Sequence, residues 1–194
     1  MIAPPLIVLT DRHQLPEGRG LESTVARCAE AGATTVLLRE LDLPATERAV
    51  LVPRLSAHVD VLVARAFVAG SRGVHLGSRQ ARADAGGHRH GRSCHDEDEV
   101  RRAVDEGARW LTVSPVASTA SKPGYGPPLG RARLGRLVSL AAGTPVYALG
   151  GVEASSVAEL VDSGVHGIAV MGAVMRAPDP GVVVTALLAE LGER

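Results

Sequence analysis

Val146-Tyr-Ala-Leu-Gly-Gly151 and Gly167-Ile-Ala-Val-Met-Gly-Ala173 are the two stretches that decide the fold class of this chain. Each is a short apolar run that ends at glycine, and a helical pattern follows each one. Continuous apolar runs of this kind are typical of parallel strands covered on both faces. Two adjacent strand-to-helix turns that open with glycine would direct backbone N–H groups at one point. In an eight-stranded β/α barrel, the loops after strands seven and eight hold a substrate phosphate at that point. The alternative, that glycine only permits a tight turn, stays open.

Six further apolar runs precede these two, and helical spacing lies between most of them. The runs predict strands over 6–10, 35–38, 59–64, 73–76, 90–93 and 110–113. Helical patterns cover 22–31, 46–55, 96–106, 134–142, 155–163 and 179–191, with Pro53 expected to shorten the second helix. A helix end, a glycine and then an apolar strand recur at residues 31–36, 106–111 and 163–168. We therefore predict a single-domain (β/α)8 TIM barrel over residues 1–194. A doubly wound open sheet is the alternative, disfavoured because no glycine-rich nucleotide motif follows the first strand.

The composition excludes several classes of function. The chain of 194 residues carries 21 basic and 21 acidic residues, so no net charge attracts it to nucleic acid or to a membrane surface. Aromatic residues make up 2% of the sequence, which removes the stacking surfaces that single-stranded nucleic acids require. Two cysteines do not indicate a disulfide framework, and no run approaches the length of a membrane span. We expect a cytoplasmic protein that binds a small molecule.

Candidate functional residues are those at the carboxyl ends of the predicted strands. The loop Ser118-Thr119-Ala-Ser121-Lys122 places three hydroxyls and an ammonium group within five residues, a mixture that suits phosphate oxygens. A flexible polar loop explains this composition equally well. His95 follows the fifth strand, where a neutral imidazole could take and return a proton. A surface or capping histidine is the alternative.

The chain resembles the thiamine phosphate synthase family and its sister group, the TenI-type thiazole tautomerases. The matching segments follow the family order and cover nearly the whole chain. They are Leu9-Thr-Asp-Arg12, Leu38-Arg-Glu40, Gly73-Val-His-Leu-Gly77, Gly91-Arg-Ser-Cys-His95, Ser114-Pro-Val-Ala-Ser-Thr-Ala-Ser-Lys122, Pro128-Leu-Gly130, Ala148-Leu-Gly-Gly151 and Gly167-Ile-Ala-Val-Met-Gly-Ala173. The family fold is a (β/α)8 barrel.

The resemblance implies a ligand for each part of the site. The glycine turns would hold the phosphate of a thiazole phosphate, and the hydroxyl-rich loop would hold the pyrophosphate of a hydroxymethylpyrimidine substrate. The predicted phosphate-binding residues are Gly150, Gly151, Met171, Gly172 and Ala173. The predicted substrate-binding residues are Arg39, Ser93, Ser118, Thr119, Ser121 and Lys122.

Two departures from the family pattern bear on the activity. The synthase uses Mg²⁺, which two acidic residues hold, one after strand three and one after strand four. This chain has Ala64-Arg65 and Ser78-Arg-Gln80 there, and no Asp or Glu occurs from Val61 to Ala83. Leu37 and Leu41 also replace a glutamine and a basic residue of the synthase pattern.

These departures lead us to expect a metal-independent thiazole tautomerase. In that isomerase, His95 would be the catalytic residue that transfers the proton, and no cofactor would be needed. A divergent, Mg²⁺-dependent thiamine phosphate synthase is the enzymatic alternative. A non-catalytic regulator that binds thiazole phosphate or thiamine phosphate is the alternative from another class. The resemblance also implies a homodimer.

Overall fold

The structure is a computed structural model that describes residues 3–118 and 128–192. Its strands are β1 (Leu6–Leu9), β2 (Thr35–Leu38), β3 (Asp60–Ala64), β4 (Gly73–Leu76), β5 (His90–Cys94), β6 (Leu111–Val113), β7 (Val146–Leu149) and β8 (Gly167–Val170). Its α-helices are α1 (Leu21–Glu30), α2 (Ala45–Ser56), α3 (Glu97–Asp105), α4 (Gly130–Leu140), α5 (Ala154–Asp162), α6 (Gly172–Met175) and α7 (Pro180–Gly192). Two short 3₁₀ helices cover Arg12–Gln14 and Arg82–Ala85.

The eight strands form one closed parallel barrel in sequence order, and β8 pairs with β1 to close it. Every neighbouring pair is parallel, so all eight carboxyl ends meet at the same rim. The predicted TIM barrel is therefore confirmed. This rim is where such barrels place their substrate sites.

Alternation of side chains along the strands separates two apolar layers. Residues such as Val8, Val36 and Val63 point outward and pack beneath the helices. Ile7, Leu37, Leu62, Trp110, Tyr147 and Ala169 belong to a second cluster that fills the inside of the barrel. The core is mostly aliphatic, with Trp110 and Tyr147 as the large exceptions inside the barrel.

The amino end of the barrel is closed by the indole of Trp110 and the phenol of Tyr147. The Tyr147 hydroxyl donates a hydrogen bond of 2.7 Å to the carbonyl of Pro4. A Cβ atom at Gly91 would lie 2.2 Å from the Trp110 ring, and one at Gly73 would lie 3.2 Å from it. Glycine at these two positions therefore makes room for the indole.

The helix bounds lie within one residue of the predicted ones, with α4 as the exception, and the short helix α6 was not predicted. The shortening expected at Pro53 is wrong, because α2 continues to Ser56 with Val52 and Leu55 fully buried on either side of the proline. Helix α4 begins at Gly130 rather than at Leu134. Among the described residues, no helix is both long enough and apolar enough to cross a membrane.

The short link between β3 and β4 departs from the regular β/α alternation. Residues 65–72 contain no helix, and β4 is followed by the 3₁₀ helix Arg82–Ala85 instead of an α-helix. Phe67, Val74, Leu76 and Ala85 form a small separate apolar cluster that covers this side of the barrel. The short link brings the loop after β3 close to the loop after β4.

Candidate functional site

A cavity of about 260 Å³ opens at the carboxyl rim of the barrel. The loops after β6, β7 and β8 form most of its wall, and the ends of β1 and β2 complete it. Its lining includes seven of the predicted site residues, namely Arg39, Ser118, Gly150, Gly151, Met171, Gly172 and Ala173. The structure thus brings together the two glycine turns that the sequence indicated.

The turn after β7 requires glycine for two separate reasons. Gly150 and Gly151 have φ angles of 94° and 73°, in the left-handed region that side chains other than glycine rarely adopt. A Cβ atom at Gly151 would also lie 2.5 Å from the carbonyl oxygen of Ser118. The amide of Ala117 donates a 2.9 Å hydrogen bond to the carbonyl of Gly150. The loop after β6 therefore packs directly on the glycine turn.

The turn after β8 opens a short helix instead. Gly172 and Ala173 are the first residues of α6, whose first amides have no acceptor within the helix. A Cβ atom at Gly172 would lie 2.3 Å from a guanidinium nitrogen of Arg176. Arg176 also donates a hydrogen bond to the side-chain oxygen of Gln14. The guanidinium of Arg176 therefore covers Gly172 at the cavity wall.

Arg176 is a site residue that the sequence interpretation missed. The available signal was its spacing, since Arg176 follows Gly172 by four residues, which is about one helical turn. Arg39 also lines the cavity, and its Nη1 lies 3.9 Å from a carboxylate oxygen of Asp11. Among the described lining residues there are two guanidinium groups and one carboxylate, Glu153, and this balance favours an anionic ligand.

Glu40 follows Arg39 at the end of β2 but is committed to a structural role. Its side chain is 1% exposed. Its carboxylate accepts hydrogen bonds of 3.2 Å from the backbone amide of Arg12 and of 3.0 Å from the Arg12 guanidinium. Arg12 also pairs with the exposed Asp42. This network ties the loop after β1 to the loop after β2 beside the cavity.

A polar cluster lies inside the barrel below the rim. Trp110 donates through its indole nitrogen to Nδ1 of His75 at 3.0 Å. Because Nδ1 accepts, the proton of the neutral imidazole lies on Nε2, which faces the hydroxyls of Ser93 at 3.1 Å and Thr112 at 3.2 Å. Burial, with the charges of Arg92 and Arg65 adding to it, lowers the pKa of His75 to about 3. His75 is therefore a neutral residue that orients the Ser93 hydroxyl.

The neutral state of His75 predicts a pH-dependent stability. A histidine whose pKa falls on folding stabilises the protein fully above its unfolded pKa of about 6.5 and loses that contribution as the pH falls toward the folded value. One such proton gives a slope of up to about 1.4 kcal/mol per pH unit in the free energy of unfolding. We expect His75→Gln to flatten this slope between about pH 6 and pH 4. Urea unfolding at several pH values, followed by the fluorescence of the chain's single tryptophan, measures this slope.

The control is His58→Gln, at an exposed histidine, which should leave the slope unchanged. Equal slopes in H75Q and the wild type would contradict the assignment of a neutral, buried His75.

The remaining predicted residues lie apart from the cavity wall or outside the described residues. His95 is not part of the lining, and its Nδ1 lies 2.8 Å from the carbonyl oxygen of Ser114. Ser93 lies inside the barrel beside His75. Thr119, Ser121 and Lys122 fall between residues 118 and 128, outside the described residues, so their assignment stays a prediction.

The rim at β3 and β4 does not offer the ligands that Mg²⁺ prefers. The guanidinium of Arg65 lies against Gly77, where a Cβ atom would be 2.6 Å from its Nη1. Across residues 3–118 and 128–192, no group of three or more His, Cys, Asp or Glu side chains could hold a metal ion. Hard cations take carboxylate and other oxygen ligands, and a guanidinium repels them. The residues present at this position therefore do not fit the ion.

The geometry defines a class of protein, a (β/α)8 barrel with a cavity between the loops after its last two strands. A family model described as thiamine monophosphate synthase matches residues 6–174, and the chain belongs to this family. A putative thiamine-phosphate synthase of Geobacter sulfurreducens is 36% identical over 97% of this chain and 95% of its own length. The thiamine-phosphate synthase of Roseiflexus sp. (strain RS-1) is 33% identical over 93% of this chain and 82% of its own.

A solved structure agrees with these sequence relatives. The thiamine phosphate pyrophosphorylase of Pyrococcus furiosus superposes with a TM-score of 0.83 at 27% identity, covering 97% of this chain and 95% of that one. The structural match therefore extends over nearly the whole chain.

The expectation of a thiazole tautomerase, and hence of an isomerase, is wrong. The relatives are named thiamine-phosphate synthases, which supports the transferase alternative, and nothing in their names indicates a tautomerase. The error lay in inferring a lost activity from two lost carboxylates. The role of His95 as a proton carrier belonged to the tautomerase hypothesis and has no part in the function proposed below.

Proposed function

We propose that this protein is a thiamine-phosphate synthase, which joins a hydroxymethylpyrimidine pyrophosphate to a thiazole phosphate and releases pyrophosphate. The observation that carries this proposal is the full-length similarity to relatives that bear this name. The anion-binding cavity at the barrel rim supports it, because both substrates are phosphorylated.

The cavity between β7 and β8 suits the thiazole phosphate. Its volume of about 260 Å³ is small, near the lower end of ligand pockets, which matches a single substituted ring with one phosphate. Backbone amides at the glycine turns would donate hydrogen bonds to the phosphate oxygens. Arg176 would add a planar, permanently charged donor group above Gly172.

The pyrimidine pyrophosphate would bind toward β2 and the loop after β6. Arg39 is a cation on that side of the cavity, and Ser118 begins the hydroxyl-rich loop. In the reaction, the thiazole ring nitrogen forms a bond to the pyrimidine methylene carbon, and the bond from that carbon to the pyrophosphate oxygen breaks. The electron pair leaves with pyrophosphate, so groups that stabilise its growing negative charge accelerate the step. Holding both substrates on one rigid rim supplies the orientation.

The test is direct formation of thiamine phosphate. We expect purified protein to convert the two substrates to thiamine phosphate and pyrophosphate, measured by chromatography, with and without added Mg²⁺. The matched control is Gly151→Ala, whose glycine turn is disrupted while the barrel core is untouched. Folded protein that forms no thiamine phosphate under either condition would contradict the proposal.

Other expectations from the sequence stay predictions alongside this proposal. They are the cytoplasmic location, the homodimer, and the substrate contacts of Ser93, Thr119, Ser121 and Lys122. The replacement of polar family residues by Leu37 and Leu41 leads us to expect a more apolar pyrimidine side of the site. Leu37 is buried inside the barrel, whereas Leu41 is 43% exposed.

A further inference from the structure

Arg65 has a backbone conformation that is rarely found outside glycine. It is the first residue after β3 and has a φ angle of 73°. A left-handed conformation of a residue other than glycine costs on the order of 1 kcal/mol or more, and it persists where the surrounding contacts enforce it. Two hydrogen bonds hold Arg65 in this conformation. The Arg65 amide donates to the carbonyl of His75 at 2.9 Å, and the Arg65 carbonyl accepts from the side chain of Gln80 at 3.0 Å.

The conformation directs the Arg65 guanidinium toward the mouth of the barrel. Its Nη1 and Cζ lie 2.6 and 2.9 Å from the position of a Cβ atom on Gly77. His75 points into the barrel, and side chains two residues apart on a strand face the same side. A side chain at position 77 would therefore also point inward. The guanidinium therefore occupies the space that an inward side chain at position 77 would fill. Its charge contributes to the lowered pKa of the buried His75 beneath it.

The loop after β4 is held from behind by a second arginine, which fixes this arrangement. The Arg92 guanidinium is fully buried and donates to the carbonyls of Gly77 at 3.0 Å and Gln80 at 2.7 Å. It also pairs with Glu106 at 2.5 Å. Gln80 in turn accepts from the amide of Gly77 at 2.8 Å. The Arg65 guanidinium thus lies on a preorganised surface rather than on a loose loop.

Arg65 is exposed to solvent, and within the described part of the chain it makes no ion pair with a carboxylate. The nearby carboxylate of Asp84 accepts from the side chain of Gln80 at 3.4 Å instead. The sequence has no Asp or Glu between Val61 and Ala83. The register of β2 and β3, with Leu38 opposite Val63, places Arg39 next to Ala64 and so beside Arg65. Two guanidinium groups therefore follow neighbouring strands at the rim.

We propose that Arg65 binds the pyrophosphate of the pyrimidine substrate directly, in the place where the family pattern has a carboxylate and a metal ion. The identity of the ligand rests on the proposed function. As the bond from carbon to oxygen breaks, the electron pair passes to the pyrophosphate oxygen, and the guanidinium stays protonated and donates two hydrogen bonds to the leaving group. Pyrophosphate binding in this protein accordingly requires no divalent cation.

The experiment is a calorimetric titration of the protein with inorganic pyrophosphate in the presence of EDTA. We expect the wild type to bind, and Arg65→Gln to bind about 10- to 100-fold more weakly, as for the loss of hydrogen bonds to a charged group. Arg72→Gln is the matched control. It makes the same change in the same link, but at the opposite end of the barrel, where Arg72 pairs with Asp60 at 2.8 Å, and it should bind like the wild type.

A second variant separates lost binding from lost folding. Arg65→Gly removes the guanidinium but suits the left-handed backbone, so its free energy of unfolding should equal or exceed that of the wild type while pyrophosphate binding is lost. Binding that needs Mg²⁺ in the wild type, or that survives in both Arg65 variants, would overturn the proposal.

The failure of this inference is distinguishable from failure of the proposed function. If thiamine phosphate formation requires Mg²⁺ and is unchanged in R65Q, the proposed synthase activity is supported and the pyrophosphate site at Arg65 is contradicted. If pyrophosphate binds without metal and depends on Arg65 but no thiamine phosphate forms, the site at Arg65 is supported and the synthase activity is contradicted.

Discussion

Gly151→Ala should weaken the binding of thiazole phosphate about 10- to 100-fold, the loss expected when one hydrogen bond to a charged group is removed. The new Cβ atom would lie 2.5 Å from the carbonyl oxygen of Ser118 and 2.8 Å from the carbonyl carbon of Ala117. Both neighbours are backbone atoms, so no side-chain rotation relieves the contact. The loop after β6 and the turn after β7 must separate, which moves the turn amides away from the phosphate. Calorimetry with thiazole phosphate measures the change in affinity.

The control for this variant isolates backbone strain from the steric contact. Gly143 has a φ angle of 83°, close to that of Gly151, but a Cβ atom there has no neighbour within 4 Å. Gly143→Ala should therefore lower stability by a similar strain while leaving thiazole phosphate affinity unchanged. Equal affinities in G151A and the wild type would show that the turn after β7 does not hold the phosphate.

Gly91→Ala should destabilise the barrel by about 3 kcal/mol or more, at the upper end of the cost of overpacking a core. The added methyl group would lie 2.2 Å from both Nε1 and Cε2 of Trp110. The indole is 5% exposed and is held by its hydrogen bond to His75, so it has no free space into which to move. Such a loss is a large fraction of the usual stability of a domain, about 5–15 kcal/mol. Urea unfolding monitored by Trp110 fluorescence gives the value.

A second glycine tests whether the effect belongs to the indole contact. Gly135 lies within α4, and a Cβ atom there would meet only the carbonyl of Ser163 at an ordinary 3.8 Å. Gly135→Ala should stabilise the protein by about 0.5–1 kcal/mol through helix propensity. If G91A and G135A have the same unfolding free energy, the packing account of the amino end of the barrel is incorrect.

The fold could be predicted because its signal is local and repeated. Apolar runs that end in glycine, such as Val146 to Gly151, identify parallel strands, and the glycine before several of the strands marks the preceding helix end. The bounds were less accurate where propensity and packing disagree. Helix α2 tolerates Pro53 because Val52 and Leu55 are fully buried against the barrel, and this packing cannot be seen in a propensity pattern.

The site was predicted in part, and the gaps have physical causes. The glycine turns could be found because their chemistry depends on the backbone. Arg176 had a usable signal in its four-residue spacing from Gly172, whereas Arg65 could not be given its role from the sequence, since a side chain that lies over a glycine on another element leaves no periodic trace. The lost carboxylates were observed correctly, but a sequence does not show that an arginine fills the space next to Gly77.

The side chain of Gln80 couples two loops of the rim to each other. It accepts from the amide of Gly77 and donates to the carbonyl of Arg65, so one residue joins the loops after β3 and β4. Amide hydrogens in the two loops should therefore exchange with solvent as one cooperative unit, because opening either loop breaks the bond that holds the other. The buried guanidinium of Arg92 holds the loop after β4 through the carbonyls of Gly77 and Gln80. Through Gln80 it therefore also limits the motion of the loop after β3.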